Sequence, residues 1–107
     1  MKTDRELLEA AAKAAGLDVD LERQDPELGI AFRGTATWWN PRTDDGDSFR
    51  LAVQLNIQVS QREKYKRSRA ELGNCTSSWP WGNDKMAATR MAILDTAAYP
   101  QPPKDTP

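Results

Sequence analysis

Histidine is absent from the 107-residue sequence, and Cys75 is its only cysteine. A single thiol forms no internal disulfide, and a chain without histidine has neither a Cys/His zinc site nor a Ser-His or Cys-His nucleophile pair. The sequence also contains no recognisable pair of catalytic carboxylates and no glycine loop that could cradle a phosphate. We therefore expect a protein that is not an enzyme and that uses no metal or other cofactor.

Long apolar runs are missing as well, because no segment approaches the ~18 residues that cross a bilayer. The first residues, MKTDRELLEA, lack the apolar stretch and small-residue cleavage site of a secretory signal. Hydrophobic residues make up 38% and charged residues 29% of the chain, which is a globular composition. We expect a cytoplasmic protein with one α+β domain over residues 1–99 and a disordered proline-rich tail over residues 100–107.

The first third of the chain has the signals of a helix followed by a hairpin. Thr3 and Glu6 have the spacing of a capping box, apolar residues then recur at helical spacing, and Gly16 supplies a left-handed stop. Apolar and polar residues alternate from Leu17 to Leu21 and again from Leu28 to Phe32. These runs predict two antiparallel strands whose leucine and isoleucine side chains face one core.

The rest of the chain predicts a helix, a third strand, a loop and a last helix. The loop is expected because glycine, proline, serine and asparagine predominate in AELGNCTSSWPWG. The last helix is expected to begin after a cap at Asn83 or Asp84 and to carry an apolar stripe from Met86 to Ala97. The predicted order is α-β-β-α-β-α, with three helices on one face of a mainly antiparallel three-stranded sheet and the other face left to water or a partner. In this order the second helix is predicted over Phe49–Leu55 and ends at Asn56. The third strand is predicted over Ile57–Val59, and the loop over Ala70–Gly82.

Three aspartates lie directly ahead of the second predicted helix. Asn40 favours an extended or turn conformation because proline follows it, and Pro41 fixes φ at the start of the turn. The carboxylates of Asp44, Asp45 and Asp47 then fall where unpaired helix N–H groups favour negative charge by about 0.3–1 kcal/mol each. These carboxylates could instead hold a hard cation, but their spacing is not that of an EF-hand loop. We predict that they cap the helix.

Two tryptophans precede this turn. Consecutive side chains of an extended segment point to opposite sides, so one of Trp38 and Trp39 can enter the core while the other covers a surface or reaches a partner. The simpler alternative is that both indoles anchor the turn against the second helix.

The stretch WNPRTDDGDSFRLAVQLNIQV resembles a motif of the form W-N-P-x-T-D-D-G-D-x-x-R-L-A-V-x-L-x-I. This motif belongs to small, largely uncharacterised proteins of tailed bacteriophages and prophages, which often end in an alanine-rich helix with an Ala-Thr-Arg step, as in MAATRMAILDTAA here. The resemblance implies a phage or prophage accessory protein that acts on a host or phage protein, for host takeover or anti-defence, and it implies no catalytic or ligand-binding residues. The structural motif comprises Trp38, Trp39, Asn40, Pro41, Thr43, Asp44, Asp45 and Asp47.

Positive charge is concentrated in residues 62–69, whereas the whole chain has a net charge of −1. Basic side chains with an aromatic ring among them could contact the phosphates and stack on the bases of a single-stranded nucleic acid. The competing interpretation is that lysine and arginine protect an exposed sheet edge from aggregation, which needs no ligand. The residues are Arg62, Lys64, Tyr65, Lys66, Arg67 and Arg69.

A second aromatic pair, Trp79 and Trp81, flanks a proline in the predicted loop. Tryptophan and arginine are favoured at the centre of protein interfaces, so this loop with Tyr65, Arg67 and Arg69 is a candidate protein-binding surface. The alternative is a loop folded over the core. We expect a protein-binding module, a monomer or homodimer, in which Trp79 or Trp81 is exposed and Trp38 is not.

Overall fold

The computed structural model describes residues 3–99, in which three helices pack with two three-stranded antiparallel sheets. The predicted α+β class is confirmed, whereas the predicted tail, residues 100–107, lies outside the described residues. No helix in the described part of the chain is long and apolar enough to span a membrane. The helices are α1 (Asp4–Ala14), α2 (Asp45–Leu55) and α3 (Lys85–Ala98), and the strands are β1 (Val19–Asp25), β2 (Gly29–Phe32), β3 (Trp38–Trp39), β4 (Gln58–Arg62), β5 (Arg67–Leu72) and β6 (Cys75–Pro80).

The predicted element order and the single sheet are wrong. The observed order is α-β-β-β-α-β-β-β-α, and the strands form separate sheets β1-β2-β3 and β4-β5-β6. The segment predicted as a loop, residues 70–82, instead contains the end of β5 and all of β6, joined by a two-residue turn at Gly73 and Asn74. A Gly-Asn turn favours a tight hairpin, but β6 is rich in serine and threonine, because one of its faces meets solvent while the other packs on α3, and this composition resembles that of a loop.

The hairpin of β1 and β2 is confirmed, and Leu17 packs against the core as predicted, but Leu21 and Leu28 do not. Leu21 and Leu28 are about half exposed, at 49% and 50%, whereas Ile30 and Trp39 are buried. The pairing of β1 with β2 changes register between Val19 and Gln24. A register irregularity redirects the side chains of a strand, so simple alternation fails here.

Local signals at the start of α1 behave as predicted. The Thr3 hydroxyl accepts from the Glu6 amide at 3.2 Å, and the Thr3 amide donates to the Glu6 carboxylate at 2.9 Å, which completes the capping box. Gly16 has a φ of +71° just beyond the helix. Between these signals the buried side chains Leu7, Leu8, Ala11 and Ala12 join the core.

The last helix, α3, is the centre of the fold, because it packs against α1, α2 and the inner face of the second sheet. Its Asp84 cap accepts from the Ala87 amide at 2.9 Å. Small residues on both sides, including Ala92 of the helix and Ala70 of β5, are fully buried and let the layers approach closely. Met86, predicted on the apolar stripe, is instead exposed at the start of the helix.

Candidate protein-binding groove

The aspartates of the turn before α2 have distinct partners. Asp44 is the cap residue, and its carboxylate accepts from the Asp47 amide at 2.7 Å, which confirms the predicted helix cap. The Asp47 carboxylate accepts from the Asn40 amide at 2.9 Å and from Arg50 at 2.7 Å. The first turn of α2 is therefore tied both to its own backbone and back to β3.

The rest of the turn is held by buried groups. The Asn40 side-chain amide donates to the Glu27 carbonyl at 2.9 Å, and the Asn40 carbonyl accepts from the Thr43 amide at 3.2 Å. Pro41 is fully buried. These contacts hold the turn in place, so its role is to position the start of α2.

The two tryptophans of β3 have different environments. Trp39 lies in the core with 3% exposure. Trp38 is half-buried, and the Arg23 guanidinium lies 5.9 Å from its ring centroid, a cation–π distance. One indole therefore supports the core and the other packs under a neighbouring arginine.

The expectation that Trp79 or Trp81 is exposed while Trp38 is not is wrong, because all three are half-buried. Trp79 packs against the core, and its indole N–H lies 3.4 Å from an Asp95 carboxylate oxygen. Trp81 shares its N–H between Gln61 and Ser68, at 3.1 Å from each. Both indoles find partners beside α3, so they do not form an apolar anchor on a loop.

Two of the predicted basic residues lie on a central strand. Arg67 and Arg69 belong to β5, which has a partner strand on both sides, so they cannot protect a sheet edge. Arg67 donates to the Ser78 hydroxyl at 2.7 Å and to its carbonyl at 2.9 Å, and Arg69 pairs with Glu71 at 3.3 Å. For these two arginines the edge hypothesis is wrong.

The other predicted basic residues lie at or near an edge. Arg62 ends β4, and Lys64 and Tyr65 follow on a short 3-10 turn, where Tyr65 is exposed. Lys66 pairs with Glu63 at 3.3 Å and lies over the Trp81 ring. Three of the five cations, Lys66, Arg67 and Arg69, are therefore already engaged by side chains of the protein itself.

The structure brings together a set of apolar residues that sequence reasoning did not select. Four of the eight large apolar side chains that are exposed among residues 3–99 line one groove of about 680 Å³. Exposed apolar residues scattered singly are ordinary, whereas apolar residues that converge on one groove form a candidate binding surface. These residues are Phe49 (69% exposed), Val53 (59%), Met86 (53%) and Val59 (40%).

Three elements line the groove. Phe49 and Val53 lie one turn apart on the outer face of α2, Val59 lies on β4, and α3 contributes Met86 and Ile93. The chain passes from α2 to β4 through Asn56, whose φ of +58° ends the helix as predicted. This left-handed residue redirects the backbone, so the helix and the strand lie on either side of the groove.

The strand beside the groove has a free edge. β4 pairs with β5 on one side, and in the described part of the chain no strand pairs with its other side. None of the groove residues belongs to β5. The groove therefore borders the free edge of β4, where alternate backbone N–H and C=O groups point away from β5.

A polar network holds the inner face of β4 in place. The Ser68 hydroxyl lies 2.8 Å from both Gln61 and Thr89, and Thr89 in turn donates to the Lys85 carbonyl at 2.8 Å. Because Thr89 also lines the groove, this network joins β4 to α3 at its border. The edge strand is thus anchored without any partner beyond it.

The sequence contained a signal for this surface. Five of the seven residues from Phe49 to Leu55 are apolar, which is more than one helical face can bury. The helix buries Leu51 and Ala52, while Phe49 and Val53 recur at i, i+4 on a different face. Which face packs on α3 is a tertiary question, so the pattern alone did not identify the exposed pair.

Comparisons of the chain with protein-family models, with curated proteins and with solved structures found no match. The groove is therefore interpreted from its own geometry.

Proposed function

We propose that the protein is a small protein-binding module that binds its partner in the groove between α2, β4 and α3. The observation that carries this proposal is the convergence of Phe49, Val53, Val59 and Met86 on one surface beside a free strand edge. These apolar side chains are exposed to solvent in the free protein. A partner that covers them stabilises the complex by roughly 25 cal/mol per Å² of buried apolar area.

The resemblance of WNPRTDDGDSFRLAVQLNIQV to phage and prophage proteins supports an accessory role. Part of the groove, Phe49 to Val59, lies within the stretch that carries this resemblance. In such a role the bound protein belongs to the host or to the phage, and the module acts stoichiometrically.

Binding of single-stranded nucleic acid through residues 62–69 has less support. Arg67 and Arg69 are engaged by Ser78 and Glu71, and Lys66 is engaged by Glu63. Phosphate binding needs several cations that can reach one backbone track. The groove instead offers mainly apolar surface, which suits a protein segment.

A peptide-display selection tests the proposal. A library of random 12-residue peptides would be selected on the full chain, and the enriched peptides would be titrated by fluorescence anisotropy against the wild type and against Phe49→Ser and Val53→Ser variants. Each variant should weaken binding about tenfold, because loss of an apolar contact at an interface centre typically costs more than ~1 kcal/mol.

Leu28→Ser is the matched control, since Leu28 is also about half exposed, at 50%, but lies outside the groove. This variant should bind the peptides as the wild type does. The proposal fails if no peptide is enriched, or if Phe49→Ser and Leu28→Ser bind equally well.

A further inference from the structure

We infer that the groove takes an extended segment of a partner protein, which adds to β4 as a fourth strand of the second sheet and carries acidic side chains on the outer face. This inference rests on the proposed function and specifies the partner of the same groove. Addition of a strand to a free sheet edge is a common mode of peptide recognition, in which backbone hydrogen bonds supply affinity and alternate side-chain pockets supply specificity.

The first support is the position of the apolar surface relative to the edge. A strand placed beside β4 would direct every second side chain to the inner side of the sheet. On that side Phe49 and Val53 of α2 and Met86 and Ile93 of α3 line the groove. The groove can therefore bury the inward side chains of an added strand.

The free backbone groups of β4 favour a strand over a helix. A bound helix satisfies its own backbone groups internally and would leave the edge of β4 unpaired. An added strand pairs with that edge and fills the groove at once. The five residues of β4 span roughly 16 Å, so the paired part of the partner would be about five residues long.

The outer face of the sheet supplies the charge preference. Arg62 of β4 lies directly opposite Arg67 of β5, and Arg69 lies on the same face opposite Ser60. Glu71 is the only carboxylate that β4 and β5 contribute to this face. Like charges directly opposite one another are unfavourable, so carboxylates on the outward positions of an added strand would complement Arg62 and its neighbours.

The same charges disfavour a second copy of this chain as the occupant. The sequence of β4, QVSQR, contains no carboxylate. Antiparallel pairing of two copies of β4 centred on Ser60 would place each Arg62 opposite Gln58 of the other copy. That arrangement adds positive charge to an already basic face and supplies no counter-charge, whereas an acidic segment supplies one.

Three peptide-display libraries of the same length test the inference on the full chain. The first alternates Asp or Glu with Val, Ile or Phe over ten residues. The second has the same composition, with the apolar residues at helical i, i+3, i+4, i+7 spacing. The third alternates lysine with the same apolar residues. We expect enrichment from the first library and little from the other two, because a short strand-addition interface is of micromolar strength and needs both features.

Backbone and charge variants then separate the two parts of the inference. N-methylation of an enriched peptide at the N–H groups on one edge should abolish binding, whereas N-methylation on the other edge should not, because an added strand pairs through one edge only. Arg62→Glu should weaken binding of acidic peptides about tenfold and allow binding of the lysine peptides. Lys13→Glu makes the same charge change on α1 and should alter neither affinity.

The outcomes separate this inference from the proposed function. Enrichment from the helical library, or binding that tolerates N-methylation on both edges, would overturn strand addition while loss of binding in Phe49→Ser still supports the groove. Enrichment of lysine peptides by the wild type would overturn the acidic partner. A dimer seen by sedimentation at micromolar concentration and lost in Phe49→Ser would assign the groove to a second copy.

Discussion

The guanidinium of Arg90 on α3 donates to the Asp45 carboxylate at the start of α2 at 2.6 Å. The same side chain donates through Nε to the Arg42 carbonyl at 2.8 Å. Asp45 belongs to the T-D-D-G-D stretch before α2 and Arg90 to the distant Ala-Thr-Arg step of α3, so these two segments meet here. Their contact fixes α2 on α3 and so sets two sides of the groove.

Replacement of Arg90 by methionine should lower the free energy of unfolding by about 1.5–3 kcal/mol, because hydrogen bonds of a charged group are lost and the Arg42 carbonyl loses its donor. Asp45→Asn should cost less than about 1 kcal/mol, since the Asp45 side chain is 60% exposed and its ion pair is screened by water. Urea denaturation measures both changes. Equal losses of unfolding free energy in the two variants would show that Arg90 stabilises the fold mainly through the Asp45 carboxylate rather than through the Arg42 carbonyl.

Replacement of Asp44 by alanine should lower the free energy of unfolding by about 0.5–2 kcal/mol, because the amide at the start of α2 loses its acceptor. Glu22→Ala removes the same charge from an exposed position on β1 and should cost under about 0.5 kcal/mol. Added calcium or magnesium should leave the melting temperature of the wild type unchanged. Marked stabilisation by either ion would instead indicate that the aspartates bind a cation.

Gly29 should be intolerant of any side chain. Its φ is +95°, and a Cβ at this position would overlap the Trp39 carbonyl oxygen and the Asn40 side chain. We expect Gly29→Ala to lower the free energy of unfolding by about 2–5 kcal/mol, through left-handed strain and overpacking together. Gly34 has a φ of +73° and open space around it, so Gly34→Ala isolates the strain and should cost about 1–2 kcal/mol in thermal or urea unfolding. Equal losses of unfolding free energy in the two variants would show that the backbone near Trp39 shifts to accommodate the added methyl group.

Neutralisation of the cations at the free edge should promote self-association. Arg62 ends β4, and Lys64 lies on the turn that follows, so the variant Arg62→Gln/Lys64→Gln removes charge that keeps copies of the edge apart. Sedimentation velocity at increasing concentration should show more dimer than in the wild type. Lys13→Gln, which removes one positive charge from α1 away from the edge, is the control and should not increase the dimer fraction.

The same edge variant discriminates against a nucleic-acid function. The wild type should bind mixed-sequence single-stranded DNA with a Kd no lower than ~10 µM at physiological salt. The Kd of the edge variant should be similar. Submicromolar, salt-sensitive binding that the variant loses would favour the nucleic-acid interpretation of residues 62–69 over the groove.

Helix ends were predictable from the sequence because their signals act within one turn. Thr3, Asp44 and Asp84 each accept from an amide three residues ahead, and Asn56 adopts the left-handed conformation that its position favours. None of these features depends on a distant part of the chain. The α+β class followed from the same local signals together with the alternation in β1 and β2.

The second sheet was not predictable in full, because its inner face is built from small and polar residues. Ala70 and Ser77 lie opposite one another beneath α3, and Ser68 is buried by bonds to Gln61 and Thr89. Such residues carry no apolar alternation, and a serine-rich segment has loop composition. It becomes a strand here because α3 covers its inner face and β5 supplies hydrogen bonds.

The candidate binding groove could also be predicted only in part from the sequence. The sequence alone determined that α2 carries more apolar side chains than one face can bury, and that the helix ends at Asn56, although the helix begins at Asp45, four residues before the predicted Phe49. Only the tertiary structure decided that Leu51 is buried in the core while Phe49 and Val53 stay exposed to solvent beside Val59 and Met86. The physical reason is that burial of a helical face depends on contacts between residues far apart in the chain, whereas capping and periodicity depend on neighbours.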